Sequence, residues 1–153
     1  MAKVSDCKVK ERINNILRHK PYASTLYIKQ RLINLGMAPK HFYPLLTPFY
    51  EKGLIDDRSH IERDIHSHLK KYHGFSYIAR MLSSRAYNYI QVEQALLILA
   101  SNINPKEQAL LCKQHQFGAS PPKDPHQQSM MVITLQKQGH KLPDIWYALK
   151  HIN

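Results

Sequence analysis

The chain has 153 residues, 43% of them hydrophobic, so it is long enough and apolar enough to bury the core of a folded domain. Its longest apolar run, residues 95–100, is far too short for a membrane span, and no apolar segment follows the basic N-terminus, so we expect neither a membrane protein nor a signal peptide. Lysine and arginine number 22 against 11 acidic residues, and the resulting charge of +11 favours a polyanionic partner such as nucleic acid or an acidic protein surface.

The excess positive charge is concentrated in the first third of the chain. Residues 1–52 carry a net charge of +7, against +1 for residues 53–104 and +3 for residues 105–153. The first third is therefore the expected electrostatic footprint. The two cysteines, Cys7 and Cys112, are isolated from each other and from metal-binding spacings, so we expect a reducing cytoplasm and a small buried hydrophobe at each position.

The first predicted helix covers residues 6–19, where Val9, Ile13 and Ile16 recur at helical spacing and Pro21 follows. Lys8, Arg12 and His19 lie along a neighbouring stripe of this helix. This stripe is either a solvated basic face or a row of cations that meets phosphates or carboxylates.

A second helix is predicted after Ser24, which can cap it, and it ends at Gly36. The third segment, residues 41–52, also has helical periodicity, but Pro44 and Pro48 interrupt it. Because proline lacks an amide donor and clashes inside a helix, we expect a short or broken helix there.

The middle third predicts three amphipathic helices joined by tight connections. Asp56 can cap the first, with Asp57 in its first turn, and its buried stripe is expected at Ile61, Ile65, Leu69 and Tyr72. Ser76 and Asn88 can cap the next two helices.

In the last third, Asn104-Pro105-Lys106-Glu107 predicts a helix start, and the helix should end near Gly118. Residues 119–125 are rich in proline and predict an irregular loop. Two further helices follow, one of which should end at Gly139.

The three thirds align with one another without a gap within the aligned positions. Ile28, Leu32, Gly36, Phe42, Leu45 and Leu46 correspond to Ile78, Leu82, Ala86, Val92, Ala95 and Leu96, and to Met131, Leu135, Gly139, Ile145, Ala148 and Leu149. We therefore predict an all-α fold of three tandem three-helix units, residues 1–52, 53–103 and 104–153, stacked into an elongated, curved array.

Several short motifs resemble those of the RecX family of bacterial recombination regulators. Gly53-Leu54-Ile55-Asp56-Asp57 is similar to that family's glycine, apolar and acid-pair signature, and Gly74, Ile78 and Leu82 are similar to its next pattern. The first and last thirds also resemble the family at Ser24, Ile28, Leu32, Gly36, Gly139, Ile145 and Leu149.

The resemblance implies a non-enzymatic, monomeric regulator of DNA recombination and repair, including the SOS response. Such a protein binds the RecA recombinase filament on single-stranded DNA and limits filament growth, ATP hydrolysis and strand exchange. Direct contact with single-stranded or double-stranded DNA is left open, and no cofactor or metal is implied.

We expect the partner to meet the exposed cations and one neighbouring aromatic residue. The candidates are Lys8, Arg12, Arg18, Lys20, Lys29, Arg31, Arg63, Lys70, Lys71, Tyr72, Arg80 and Arg85. For Arg63, Lys70, Lys71 and Tyr72, the alternative is an ordinary solvated helix end.

Other groups invite catalysis or metal binding, but their pattern does not favour either. Asp56 and Asp57 lack a nearby nucleophile or phosphate loop in the sequence, so helix capping explains them better than acid–base chemistry. The histidines of the middle third lack the i, i+4 pairing of helical zinc ligands.

Two other function classes stay open. One is a DNA-binding module of the helix-turn-helix type, although no helix concentrates the side chains that read base edges. The other is a purely structural adaptor.

Overall fold

The computed structural model describes residues 5–151, and this part of the chain is built from helices without strands. The all-α prediction is therefore confirmed. The α-helices are α1 Asp6–His19, α2 Thr25–Asn34, α3 Pro39–Phe42, α4 Thr47–Glu51, α5 Arg58–Lys70, α6 Phe75–Ser84, α7 Tyr89–Asn102, α8 Pro105–Phe117, α9 Pro125–Lys137 and α10 Leu142–Lys150. Within residues 5–151, no helix combines the length and the apolar character that crossing a membrane requires.

The helices group into two compact units. The first runs from the start of α1 to Ile61 and includes Arg85–Gln94, and the second contains Glu62–Ser84 and the chain from Ala95 to the end of α10. The residues predicted as a central repeat unit are thus shared between the two. The division into three repeat units, and the curved array that would follow from it, stay predictions.

Local capping signals set most helix boundaries as predicted. The side chains of Ser24 and Asn104 accept hydrogen bonds from the backbone amides of Tyr27 and Glu107, three residues further on. The segment with Pro44 and Pro48 is broken as expected, because a 3₁₀ turn, Tyr43–Leu45, separates α3 from α4.

Three predictions about local structure were wrong. Helix α6 begins at Phe75 with Gly74 at its N-cap, so Ser76 lies inside its first turn rather than before it. Helix α5 begins at Arg58, so Asp57 occupies the N-cap position and does not lie in the first turn. Cys7 is exposed on the first turn of α1, and only Cys112 is buried.

Three of the aligned positions are buried in every third, whereas at the last two positions Leu45, Ala95 and Leu96 are only partly buried. Ile28, Leu32 and Phe42 are buried, as are their counterparts Ile78, Leu82 and Val92, and Met131, Leu135 and Ile145. Helices α2 and α9 end in the same Schellman turn, in which Gly36 and Gly139 take positive φ angles of 84° and 94°. These features are compatible with a repeat in the sequence.

Each compact unit has its own apolar cluster. In the first, α1 and α2 pack together with the α3 to α4 segment, and the most deeply buried side chains are Val9, Ile13, Ile28, Leu32, Phe42, Leu46 and Ile55. In the second, α10 packs on α8 and α9 around Cys112, Met131, Leu135, Ile145 and Leu149. Of the stripe predicted on α5, Ile61 is buried, whereas Ile65, Leu69 and Tyr72 are only partly buried.

In the second unit, the backbone at Gly74 touches the turn between α9 and α10. The Gly74 amide donates to the Gln138 carbonyl at 2.8 Å. A β-carbon at Gly74 would collide with the Gly139 carbonyl, and one at Gly139 would collide with the Tyr77 backbone. Glycine is required at both positions because the two main chains meet directly.

Candidate functional site

The acid pair at the start of α5 consists of two carboxylates in different environments. Asp57 is fully buried, and its Oδ1 atom accepts the backbone amide of Thr25 at 2.7 Å. Its Oδ2 atom accepts the Thr25 hydroxyl at 2.6 Å and the backbone amide of Asn88 at 2.7 Å. The carboxylate is therefore saturated by neutral donors from two other segments of the first unit.

These donors lie at helix starts, which explains how a buried carboxylate is tolerated. Thr25 is the first residue of α2, and Asn88 immediately precedes α7 and caps it by accepting the Ile90 amide at 3.1 Å. The positive ends of these two helix dipoles thus face Asp57. The Thr25 hydroxyl also lies 3.0 Å from the Tyr50 hydroxyl, which in turn lies 3.5 Å from the Ala86 carbonyl. Burial raises the pKa of Tyr50 to about 12.

Asp56 is held by a different set of partners. Its carboxylate accepts the backbone amide and the guanidinium of Arg58, with the ion pair closing at 2.8 Å, and it also accepts the Gln91 side-chain amide at 3.2 Å. The Arg58 side-chain hydrogen bond is the main reason that the pKa of Asp56 falls to about 2. The side-chain contacts of this acid pair therefore lie at the starts of α2, α5 and α7.

Two of the four histidines of the middle third, His68 and His73, form a contact pair in the second unit. The Nδ1 atoms of His68 and His73 lie 3.0 Å apart, and the His73 ring packs on Tyr77 with centroids 4.0 Å apart. Burial lowers the pKa of His73 to about 4, with a further contribution from His68. Nowhere in residues 5–151 do three metal-binding side chains converge.

The feature with the most distinctive chemistry is a groove between α1 and α2 in the first unit, here called the α1/α2 groove. It encloses about 360 Å³ and is lined by Arg12, Asn15, Ile16, His19, Tyr27, Arg31 and Leu35. The predicted stripe on α1 supplies Arg12 and His19, which lie two turns apart on one helix face. Helix α2 supplies the opposite wall.

Tyr27 and the cations around it form one connected cluster. The Arg31 guanidinium donates to the Tyr27 hydroxyl at 2.8 Å and also lies 5.0 Å from the ring centroid. The Lys20 ammonium lies 4.2 Å from the same centroid. These distances are typical of cation–π contacts, which hold both cations close to the aromatic ring.

The remaining candidate cations of the first unit lie outside the lining of this groove. Lys8 lies on the first turn of α1 and Arg18 on its last turn, where both are exposed. Lys29 is partly buried on α2, and Arg85 is exposed between α6 and α7. Among the predicted residues, the structure thus brings Arg12, Lys20 and Arg31 to the groove or its rim.

In the second unit, the predicted site residues do not come together in one cluster. Arg63, Lys70 and Lys71 are exposed on or directly after α5, and Arg80 lies over the Tyr77 ring at 5.4 Å. Tyr72 instead packs against the apolar cluster around Cys112, with a left-handed φ of 60°. Its side chain is therefore part of the packing of this unit.

Sequence patterns alone did not predict Asn15, Ile16, Tyr27 or Leu35 as site residues. The i, i+4 spacing of Tyr27 and Arg31 was a usable signal, because residues at that spacing share a helix face. The apolar groove residues carried no comparable signal. Whether they line a core or a groove depends on how the helices pack.

No protein-family model matches this chain, and no curated protein matches it either.

Proposed function

We propose that this protein is a non-enzymatic regulator of the RecX type, which binds the RecA recombinase filament on single-stranded DNA and restrains its growth, ATP hydrolysis and strand exchange. It would act as a monomer in the cytoplasm. The α1/α2 groove is the observation that carries this proposal, because it gathers cations from two helices in the most basic part of the chain. The family resemblance of the sequence motifs supplies the identity of the partner.

The electrostatics of the groove favour an external anion. Among the described residues, no carboxylate forms an ion pair with Arg12, Lys20 or Arg31. Clustering like charges costs free energy in the isolated protein, and an anionic partner removes that cost. The groove is therefore suited to a negatively charged surface.

The acid pair supports a binding role for the protein rather than a chemical one. General acid–base catalysis requires a group that can reach a substrate and exchange a proton near the working pH. Asp57 is enclosed by its three donors, and Asp56 is bound to Arg58 with a pKa of about 2. Both carboxylates are engaged in organising helices.

The test is the DNA-dependent ATPase of RecA, measured with increasing amounts of this protein. We expect hydrolysis to fall as the protein approaches stoichiometry with the filament. Hydrolysis that is unchanged over a wide concentration range would exclude the proposal.

A matched pair of variants links the effect to the groove. Arg12→Glu should weaken the inhibition, whereas Lys10→Glu changes the charge equally on the same helix but outside the groove lining, and should act like the wild type. Charge reversal at Lys8 or Lys29 should have an intermediate effect if the footprint extends beyond the groove. Fluorescence anisotropy with labelled DNA distinguishes a direct DNA binder, because its affinity would fall steeply with salt.

A further inference from the structure

The α1/α2 groove is not purely ionic. Ile16 and Leu35 lie among its cations, and Leu35 is 52% exposed although it is a large apolar residue. An exposed leucine gains free energy when a partner covers it with an apolar side chain. The groove therefore offers an apolar contact next to its positive charges.

The aromatic ring in the groove is already engaged. Lys20 and Arg31 both lie within cation–π distance of Tyr27, and Arg31 also holds its hydroxyl. A nucleic-acid base that stacked on this ring would compete with these two cations for it. Base stacking, which usually supports the binding of single strands, is thus disfavoured here.

The guanidinium groups retain donors for a planar anion. Arg31 uses one Nη atom for Tyr27, and Arg12 forms no ion pair within the described residues. A guanidinium matches a carboxylate through two parallel hydrogen bonds. Two arginines from different helices could therefore hold two carboxylates of one segment.

We propose that the α1/α2 groove binds an acidic protein segment in which carboxylate side chains flank an apolar residue. The carboxylates pair with Arg12 and Arg31, and the apolar side chain covers Leu35 and Ile16. This inference rests on the proposed function only because it takes the α1/α2 groove as the binding surface. A phosphodiester backbone is less suitable because it carries no aliphatic side chain comparable to leucine to place on Leu35.

The test is a titration of the full chain, followed by fluorescence anisotropy, against three labelled probes. The first is a synthetic peptide of repeated Glu-Glu-Leu triplets, the second has serine in place of leucine, and the third is an oligothymidylate of matched length. We expect the leucine peptide to bind about tenfold more tightly than the serine peptide, because only leucine places an apolar side chain on Leu35.

Variants assign the binding to this groove. Arg12→Gln and Arg31→Gln should each weaken the leucine peptide about tenfold, since each removes a charge-assisted pair. Lys10→Gln is the charge-matched control and should leave the affinity within about twofold. Leu35→Ser should abolish the preference for leucine over serine while both peptides still bind, and circular dichroism checks that each variant is folded.

Three results would overturn the inference. The first is equal affinity for the two peptides. The second is that Lys10→Gln weakens binding of the leucine peptide as much as Arg31→Gln does. The third is that the oligothymidylate binds more tightly than the leucine peptide and that its binding depends on Arg12 and Arg31. No RecA is present in this titration. A failure here would therefore be separate from a failure of the ATPase test.

Discussion

Asp57 and Arg31 both carry charge in the first compact unit, yet one is fully buried and the other is exposed. The carboxylate of Asp57 receives three hydrogen bonds from helix starts. Arg31 contacts only the hydroxyl and ring of Tyr27, with no carboxylate paired to it among the described residues. A charge satisfied within the chain stabilises the fold, and a charge left without a counterion is available to a partner.

The largest effect on stability is expected for Asp57→Ala, which tests whether the buried charge of the pair Asp57 and Arg31 is the one that stabilises the fold. The substitution leaves the Thr25 amide, the Thr25 hydroxyl and the Asn88 amide without an acceptor in the interior. We expect a loss of about 3–5 kcal/mol in the free energy of unfolding, measured by urea denaturation.

Asp56→Ala is the matched control, because it removes the neighbouring carboxylate from a site where solvent still reaches. It should cost roughly 1 kcal/mol or less. Equal losses for the two variants would show that burial does not separate the roles of this pair.

A smaller effect is expected at His73, a partly buried histidine of the second unit with no carboxylate among its contacts in the described chain. Its pKa is about 4 in the folded chain against an ordinary 6.5, so the unfolded chain binds more protons between these values. The contribution of His73 to the free energy of unfolding should be fully present above about pH 6.5 and should be lost as the pH falls towards 4. The urea midpoint followed across this range measures the effect.

His73→Gln should flatten that dependence, because the substitution removes the group that titrates differently in the two states. His66→Gln, at an exposed histidine of α5, is the matched control and should keep the wild-type slope. A slope that survives in His73→Gln would assign the pH dependence to other groups.

The smallest effect on stability is predicted for the groove cations. Neither residue has an ion pair to lose within the described chain, so Arg12→Gln should change the free energy of unfolding by no more than about 0.5 kcal/mol. Arg31→Gln also loses the contacts with Tyr27 and should cost no more than about 1 kcal/mol. Thermal denaturation measures this directly. A large loss would mean that the groove residues maintain the fold rather than serve a partner.

Helix boundaries were the part of the fold that the sequence predicted best, because capping is local. Ser24, Asn88 and Asn104 act on amides two or three residues away, so their roles are visible in a short window of sequence. Ser76 was misassigned because Gly74 takes the N-cap position, and that choice follows from the close contact of Gly74 with Gly139.

The role of Asp57 could not be predicted, because its partners lie 31 and 32 residues away in the chain. The groove was predicted in part. The stripe containing Arg12 and His19 is periodic within α1, whereas Tyr27, Arg31 and Leu35 join it only through the packing of α2. Such packing depends on side-chain shapes that periodicity does not contain.

The contact between Gly74 and the turn at Gly139 also constrains how the second unit folds. The Gly74 amide donates to the Gln138 carbonyl, 64 residues later in the chain. Forming this contact therefore closes a long loop, which costs conformational entropy. The start of α6 and the end of α9 should therefore become ordered in one cooperative step. Native-state hydrogen exchange would reveal this as a shared opening free energy for the Gly74 and His140 amides.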